Sequence, residues 1–204
     1  MKERDYITTM PIPEAVDLGL PSGLKWASFN LGASKPEEYG YYYGMCSTYS
    51  HKIGGTRNLL DYCGSDKDPL KDYIDPNDKS ILEVDTKWDA ARQELGGAWR
   101  MPTFEEIKEL DSTDNCDWQW MTENGVDGYK VTSKKNGNSI FLPAAGYRGG
   151  TSLYGSGSDD IYWSLSPRPY SSDRACYLDF NSGHFVWFTK LDCCDGFTVR
   201  PVLE

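Results

Sequence analysis

The chain has 204 residues, a formal net charge of −10 at pH 7 and an aromatic content of 14%. Its length allows one domain with a sizeable core. The acidic balance argues against nucleic-acid binding and against docking on an anionic membrane, and no apolar run is long enough to predict membrane insertion.

Residues 1–14 are predicted to be an N-terminal arm, followed by a single domain over residues 15–204. The arm is charged and lacks the apolar segment of a secretion signal. We therefore expect a cytoplasmic protein, or one at the cell surface or otherwise outside the cytoplasm if a signal has been removed.

The first regular element is a predicted β-hairpin. Alternating apolar runs at residues 16–20 and 25–31 flank the turn sequence Pro-Ser-Gly. Residues 32–83 are the least regular part of the chain. Within them, the aspartates of residues 66–80 depart from the D-x-D-x-D-G calcium loop, which favours a solvated surface insertion over an ion site.

Two helices follow. Residues 86–95 show apolar residues at helical spacing after Thr86, which we predict to be the N-cap. A second helix is predicted at residues 104–110. Thr103 precedes it as N-cap and Glu106 stands three residues later, which is the capping-box pattern.

The rest of the chain has a β pattern. An Asn136-Gly137 pair predicts a hairpin turn, and residues 144–158 predict a long Gly/Ser-rich loop. Strands, then two helices, then an antiparallel meander predict an α+β fold rather than α/β. The meander strands are predicted at residues 129–133, 139–142, 161–165, 175–180, 184–190 and 197–202.

The residues that could carry chemistry do not form an enzyme signature. The six cysteines contain no C-x-x-C pair, their disulfide pairing is open, and the two histidines are far apart in sequence. Asp159 and Asp160 are predicted to lie in a polar loop, and adjacent strand residues would not converge in any case. Arg100 and Arg200 are predicted to make structural hydrogen bonds. We expect no catalytic residue, no metal and no cofactor.

Aromatic and arginine side chains on the late loops and strands are the predicted binding surface. Tyr and Trp offer rigid contact area at low entropic cost, and the surrounding Ser and Gly residues can adapt to a partner. This mixture suits a glycan or protein ligand. The candidate ligand-binding residues are Tyr147, Arg148, Tyr154, Trp163, Arg168, Tyr170 and Trp187.

Several motifs together resemble the Fibrobacter succinogenes major paralogous domain family, in order from residue 16 to the end of the chain. The RMPTFEEI and GFTVRPV segments also resemble the formylglycine-generating-enzyme-like branch of the C-type lectin fold. The motifs are VDLGLPSGLKWASFNLGAS at 16–34, GGAWRMPTFEEIKEL at 96–110, NGVDGYKVTSKKNGNSIFLPAAGYR at 124–148, YWS at 162–164 and GFTVRPV at 196–202.

The resemblance implies a C-type-lectin-like domain in which two helices pack on a twisted antiparallel sheet, with the terminal strands close together. It implies a surface-associated, non-enzymatic binding protein. The chain lacks the Glu-Pro-Asn and Trp-Asn-Asp calcium motifs of lectins, and it reads Tyr43-Gly44-Met45 where the family continues Trp-Gly-Glu.

Three alternatives remain open at this point. The chain could be a target of a diversity-generating retroelement with a variable C-terminal face, or a structural subunit of a surface assembly. The third is a copper-dependent oxidase of formylglycine-generating type. Such enzymes hold copper with two cysteines near the C-terminal end of the fold, where this chain has Cys176, Cys193 and Cys194. The rest of that enzyme signature does not align, so the binding domain is favoured.

Overall fold

The computed structural model describes residues 10–44, 50–51, 89–149, 152–167, 175–185 and 195–204. The helices of these residues are α1 (Ala90–Leu95) and α2 (Phe104–Asp111). The strands are β1 (Ala15–Asp17), β2 (Lys25–Ala27), β3 (Tyr42–Gly44), β4 (Ser50–His51), β5 (Trp99–Arg100), β6 (Cys116–Glu123), β7 (Val126–Ser133), β8 (Ser139–Pro143), β9 (Tyr147–Gly149), β10 (Ser152–Tyr154), β11 (Asp159–Pro167), β12 (Ala175–Asn181), β13 (His184–Phe185), β14 (Gly196–Phe197) and β15 (Val202–Leu203).

These strands form four sheets, in the orders β1-β2-β15-β5, β10-β9-β14-β3-β4, β11-β12-β13 and β6-β7-β8. Every pairing between named strands is antiparallel. Antiparallel sheets with two helices make an α+β fold, as predicted.

The β11–β12 hairpin lies between two hydrophobic clusters, because neighbouring strand residues point to opposite faces. Tyr162 and Leu178 face one cluster together with α2 and the β6-β7-β8 sheet. Ile161 and Trp163 face the other cluster, which includes Phe197 and residues of α1. Both faces of these paired strands are therefore buried at Tyr162, Trp163, Tyr177 and Leu178.

The capping box of α2 is confirmed. The Thr103 hydroxyl accepts a hydrogen bond from the Glu106 backbone N–H, and the Glu106 carboxylate accepts one from the Thr103 N–H at 2.7 Å. The predicted N-cap of the first helix was wrong. Asp89 has extended backbone angles and accepts from the Arg92 N–H at 3.0 Å, so Asp89 is the N-cap of α1, whereas Thr86 lies outside the described residues.

The predicted hairpins at residues 16–31 and 129–142 are present, although β1 and β2 are shorter than expected. The prediction overlooked β6. It pairs along its whole length with β7 through Asn124 and Gly125, which have φ of 49° and 87°. This is a second Asn-Gly turn, and it carried the same sequence signal as Asn136-Gly137.

Three other predictions were wrong in the β region. Residues 144–158 are not one loop, since they contain the β9–β10 hairpin. The predicted strand 197–202 is divided between β14 and β15, which belong to different sheets. Asp159 and Asp160 lie in β11 and not in a loop. The insertion at residues 66–80 and most of the predicted strand 184–190 lie outside the described residues.

Arg200 is fully buried and structural, as predicted. Its guanidinium donates to Asn30 Oδ1 at 2.8 Å and to the carbonyls of Ala27 at 3.0 Å and Phe141 at 2.5 Å. These acceptors come from distant parts of the chain, so one side chain holds together β2, the segment after it and β8. Asn30 in turn donates to the Tyr162 hydroxyl at 3.2 Å.

Candidate ligand-binding face

The exposed aromatic feature of the described surface is a stacked tyrosine pair on the β9–β10 hairpin. Tyr147 and Tyr154 are directly opposite in the register, and their rings stack with centroids 5.4 Å apart at an interplanar angle of 26°. Tyr154 is 49% exposed, whereas Tyr147 is partly buried beneath it. We call Tyr147 and Tyr154 the tyrosine stack.

The tyrosine stack rests on the core. Tyr147 meets Phe197 edge-on at 6.2 Å between centroids, and Phe197 packs on Trp163 at 4.2 Å. Trp163 is fixed in turn by a hydrogen bond from its Nε1 to the Tyr43 carbonyl at 2.6 Å. The exposed ring is therefore supported by packed core side chains. This packing lowers the conformational-entropy cost of ordering the ring when a ligand binds.

At two positions near the tyrosine stack, glycine avoids a close steric contact with Tyr154. A side chain at Gly149 would place its Cβ 3.2 Å from the Tyr154 ring. Gly146 has φ of +71°, and a Cβ there would lie 2.0 Å from the Tyr154 carbonyl oxygen. The Gly-rich sequence is thus a geometric requirement of the hairpin at these two positions and not only a sign of a loop.

A carboxylate lies beside the turn that follows Tyr154. Asp159 lies close beneath Gly155, next to Tyr154, and accepts a hydrogen bond from the Ser158 hydroxyl at 2.7 Å. Asp179 shares the same face of the β11–β12 hairpin, since it pairs with Ile161. Burial and the Asp159 charge raise the pKa of Asp179 to about 6. Asp159 and Asp179 therefore lie on one face of the paired β11 and β12 strands, and Asp159 is close to the glycine that follows Tyr154.

The structure separates the predicted site residues. Tyr147 and Tyr154 come together, but Arg148 and Trp163 are buried, with exposures of 7% and 2%. The display of these two residues on the surface was predicted wrongly. Trp163 lies in a strand whose two faces are both covered by hydrophobic clusters, and Arg148 reaches across Gly196 toward Tyr42. Arg168, Tyr170 and Trp187 lie outside the described residues.

Asp179 was missed as a neighbour of Asp159. Their proximity depends on the pairing register of β11 with β12, which composition and motifs do not supply. The expectation that Asp159 and Asp160 would not converge is confirmed. Asp160 turns to the other face, is completely buried and accepts from the Ile161 N–H at 2.7 Å.

Within the described part of the chain, no group of three His, Cys, Asp or Glu side chains is placed to hold a metal ion. Cys176 is buried in β12, and Cys193 and Cys194 lie outside the described residues. The same described residues contain no helix with the length and apolarity needed to cross a bilayer.

Comparisons of the chain with protein-family models, with curated proteins and with solved structures returned no match.

Proposed function

We propose that this chain is a non-enzymatic binding domain of C-type-lectin-like architecture that acts at a cell surface and recognises a glycan or protein ligand through the tyrosine stack. The observation that carries the proposal is the stack itself, in which a half-exposed Tyr154 is held by Tyr147 against the core.

The chemistry of the surroundings supports a glycan more than a protein. A sugar ring presents C–H groups that can lie on an aromatic face, and its hydroxyls donate hydrogen bonds to carboxylates. Asp159 supplies such an acceptor next to Gly155, the residue after Tyr154, and Ser152, Ser156 and Ser158 are exposed on the same segment. A neutral sugar suits a chain with a net charge of −10 better than an acidic sugar does.

The fold proposal rests on the arrangement of the chain ends. β15 pairs with β2, so the last and first parts of the described domain lie side by side in one sheet. This proximity, together with two helices among antiparallel sheets, supports the C-type-lectin-like architecture that the sequence motifs imply.

A glycan array probed with the wild-type chain, Tyr147→Ala and Tyr154→Ala tests the proposal. We expect selective binding by the wild type and at least a tenfold loss in both variants. Ile12→Ala is the matched control, because Ile12 is the other large apolar side chain that is exposed among the described residues, at 71%, and should bind as the wild type does.

A parallel pull-down from bacterial and host surface extracts covers a protein ligand. The proposal fails if neither format yields binding that is lost in Tyr154→Ala while Ile12→Ala retains it. Circular dichroism of each variant separates a lost contact from a lost fold.

A further inference from the structure

Among the residues that the structure describes, Arg148 is a buried cation with no hydrogen-bond acceptor. Its side chain is 7% exposed, and its Nε is enclosed with no acceptor among the described residues. Within the same residues, no carboxylate lies within ion-pair distance of its guanidinium. A guanidinium does not lose its proton in a protein, so this charge persists in the interior.

Such a group is costly to bury. Removing one partner of a buried ion pair destabilises a protein, because the remaining charge is left uncompensated. Two other buried arginines among the described residues have hydrogen-bond acceptors or carboxylates as partners. Arg200 has three acceptors, and Arg100 has two carboxylates. Arg148 therefore differs from them in having no carboxylate within ion-pair distance among the described residues.

The position of Arg148 in its sheet accounts for its burial. It pairs with Gly196 on β14, and Gly196 pairs with Gly44 on β3. The guanidinium lies 5.9 Å from the ring centroid of Tyr42, which is also on β3. The side chain thus reaches across β14 at a position where the strand carries no side chain. This face is opposite to the one that carries the tyrosine stack.

The nearest structural compensation is weak. The Tyr42 ring can stabilise the cation through its π face, but its hydroxyl is committed to the Ala145 carbonyl at 2.6 Å. Burial and the carboxylate of Asp160 raise the pKa of the neighbouring Tyr42. Burial also raises the pKa of Asp160 well above its ordinary value, so Asp160 is a weak counter-charge for Arg148.

We propose that Arg148 is the centre of an oxyanion-binding site on the face of the β10-β9-β14-β3-β4 sheet opposite the tyrosine stack. The ligand group is a carboxylate or a phosphate or sulfate ester, because the guanidinium fork matches two oxygens of such a group. Only Nε is fully enclosed, so the residual exposure of the side chain offers an approach to its other atoms. This site does not depend on the function proposed for the tyrosine stack.

Thermal unfolding in sodium acetate, sulfate and phosphate, each compared with chloride at equal ionic strength, tests the site. At about ten times the dissociation constant, we expect the wild-type midpoint to rise by roughly 3–5 °C in at least one oxyanion. A response to acetate alone assigns a carboxylate ligand, and a response to sulfate or phosphate assigns an ester. Arg148→Gln should lose the response, and Arg148→Lys should keep a smaller one.

Arg92→Gln is the matched control, since the Arg92 side chain is 31% exposed and should leave the anion response unchanged. If Arg148→Gln fails to fold, an NMR titration of the wild-type protein is used instead. The ¹⁵N–¹H signal of Arg148 Nε should then shift as the active anion is added. The proposal is overturned if no oxyanion exceeds chloride, if Arg148→Gln responds like the wild type, or if the Nε signal stays fixed.

Discussion

Arg100 and Glu106 form a two-pronged ion pair, with Nη1 donating to Oε2 at 2.8 Å and Nη2 donating to Oε1 at 2.7 Å. Both side chains are largely buried, with exposures of 10% and 14%. Glu106 accepts the Thr103 N–H at the same time, so one carboxylate caps α2 and fixes Arg100 of β5. Arg100 also donates to Glu204 at 2.6 Å, which connects the helix start to the end of the chain.

Glu106→Gln is expected to destabilise the domain by about 2–3 kcal/mol in urea unfolding. Gln can still accept the Thr103 N–H, so the loss reports the charge that Arg100 requires. Glu105→Gln on the same turn is the control. The side chain of Glu105 is 68% exposed and, among the described residues, pairs only with Lys108, so its loss should cost less than about 0.5 kcal/mol. Equal effects at both positions would contradict this assignment.

The same pair predicts a loss of stability in acid. Burial tends to raise the pKa of Glu106, but its bonds to Arg100 and Thr103 prevail and lower the pKa below 4.5. Because the folded state holds the carboxylate charged, the contribution is present above this ordinary pKa and is lost as pH falls through the lower folded value. The difference in unfolding free energy between wild type and Glu106→Gln should therefore shrink below about pH 4.5.

Asp179 should show the opposite dependence. Its pKa is raised from 3.8 to about 6 by burial and by Asp159, so the folded state favours the protonated form. The stability contribution of Asp179 is then present below its ordinary pKa and is lost as pH rises through about 6. We expect Asp179→Asn to be more stable than the wild type at pH 7 by about 1 kcal/mol, allowing for partial solvent screening.

Urea unfolding of Asp179→Asn at several pH values between 4 and 7 measures this effect. The gain over the wild type should grow across this window and then level off. Asp114→Asn, at an exposed position, should show no such growth. A gain that is independent of pH would show that Asp179 is not the titrating group.

Arg200→Lys is expected to cost about 3 kcal/mol or more. A lysine has no planar fork, so it cannot satisfy Asn30 and the carbonyls of Ala27 and Phe141 together, and at least one buried acceptor is left unpaired. Arg92→Lys, in a partly exposed side chain 3.8 Å from Asp89, should change the free energy of unfolding by less than about 0.5 kcal/mol. A similar small change at both positions would contradict the structural role of Arg200.

Helix caps and tight turns could be predicted from the sequence, because each depends on residues that are adjacent in the chain. The capping box of Thr103 and Glu106 and the turn at Asn136-Gly137 were predicted because each requires only a few consecutive residues. The α+β class followed from the order of such elements. The start of α1 was missed because Asp89 and Thr86 are both acceptable N-caps, and tertiary bonding of Asp89 to the Met101 N–H at 3.0 Å favours Asp89.

The candidate site was only partly predictable for the same reason. A Gly/Ser-rich segment with tyrosines indicates an exposed aromatic, but which tyrosines meet depends on the β9–β10 register. Burial of Arg148 depends on Gly196 and Gly44 lying beside it, and these are distant in sequence. Trp163 belongs to a strand buried on both faces, which periodicity alone does not distinguish from a strand with one exposed face.

Gly146→Ala is expected to disrupt the tyrosine stack more than any other single glycine replacement at an equivalent backbone angle. Gly157→Ala is the matched control: its φ of +85° imposes a comparable left-handed strain, of about 1 kcal/mol, but nothing lies within 4 Å of its added Cβ. At Gly146 the added Cβ would lie 2.0 Å from the Tyr154 carbonyl oxygen and 2.6 Å from the Ser156 N, so the backbone of β10 must move.

We therefore expect Gly146→Ala to lower the free energy of unfolding by at least about 2 kcal/mol more than Gly157→Ala does. Gly146→Ala should also weaken ligand binding, as Tyr154→Ala does. Equal stabilities of the two glycine variants would show that β10 and its tyrosine are not held in the observed position.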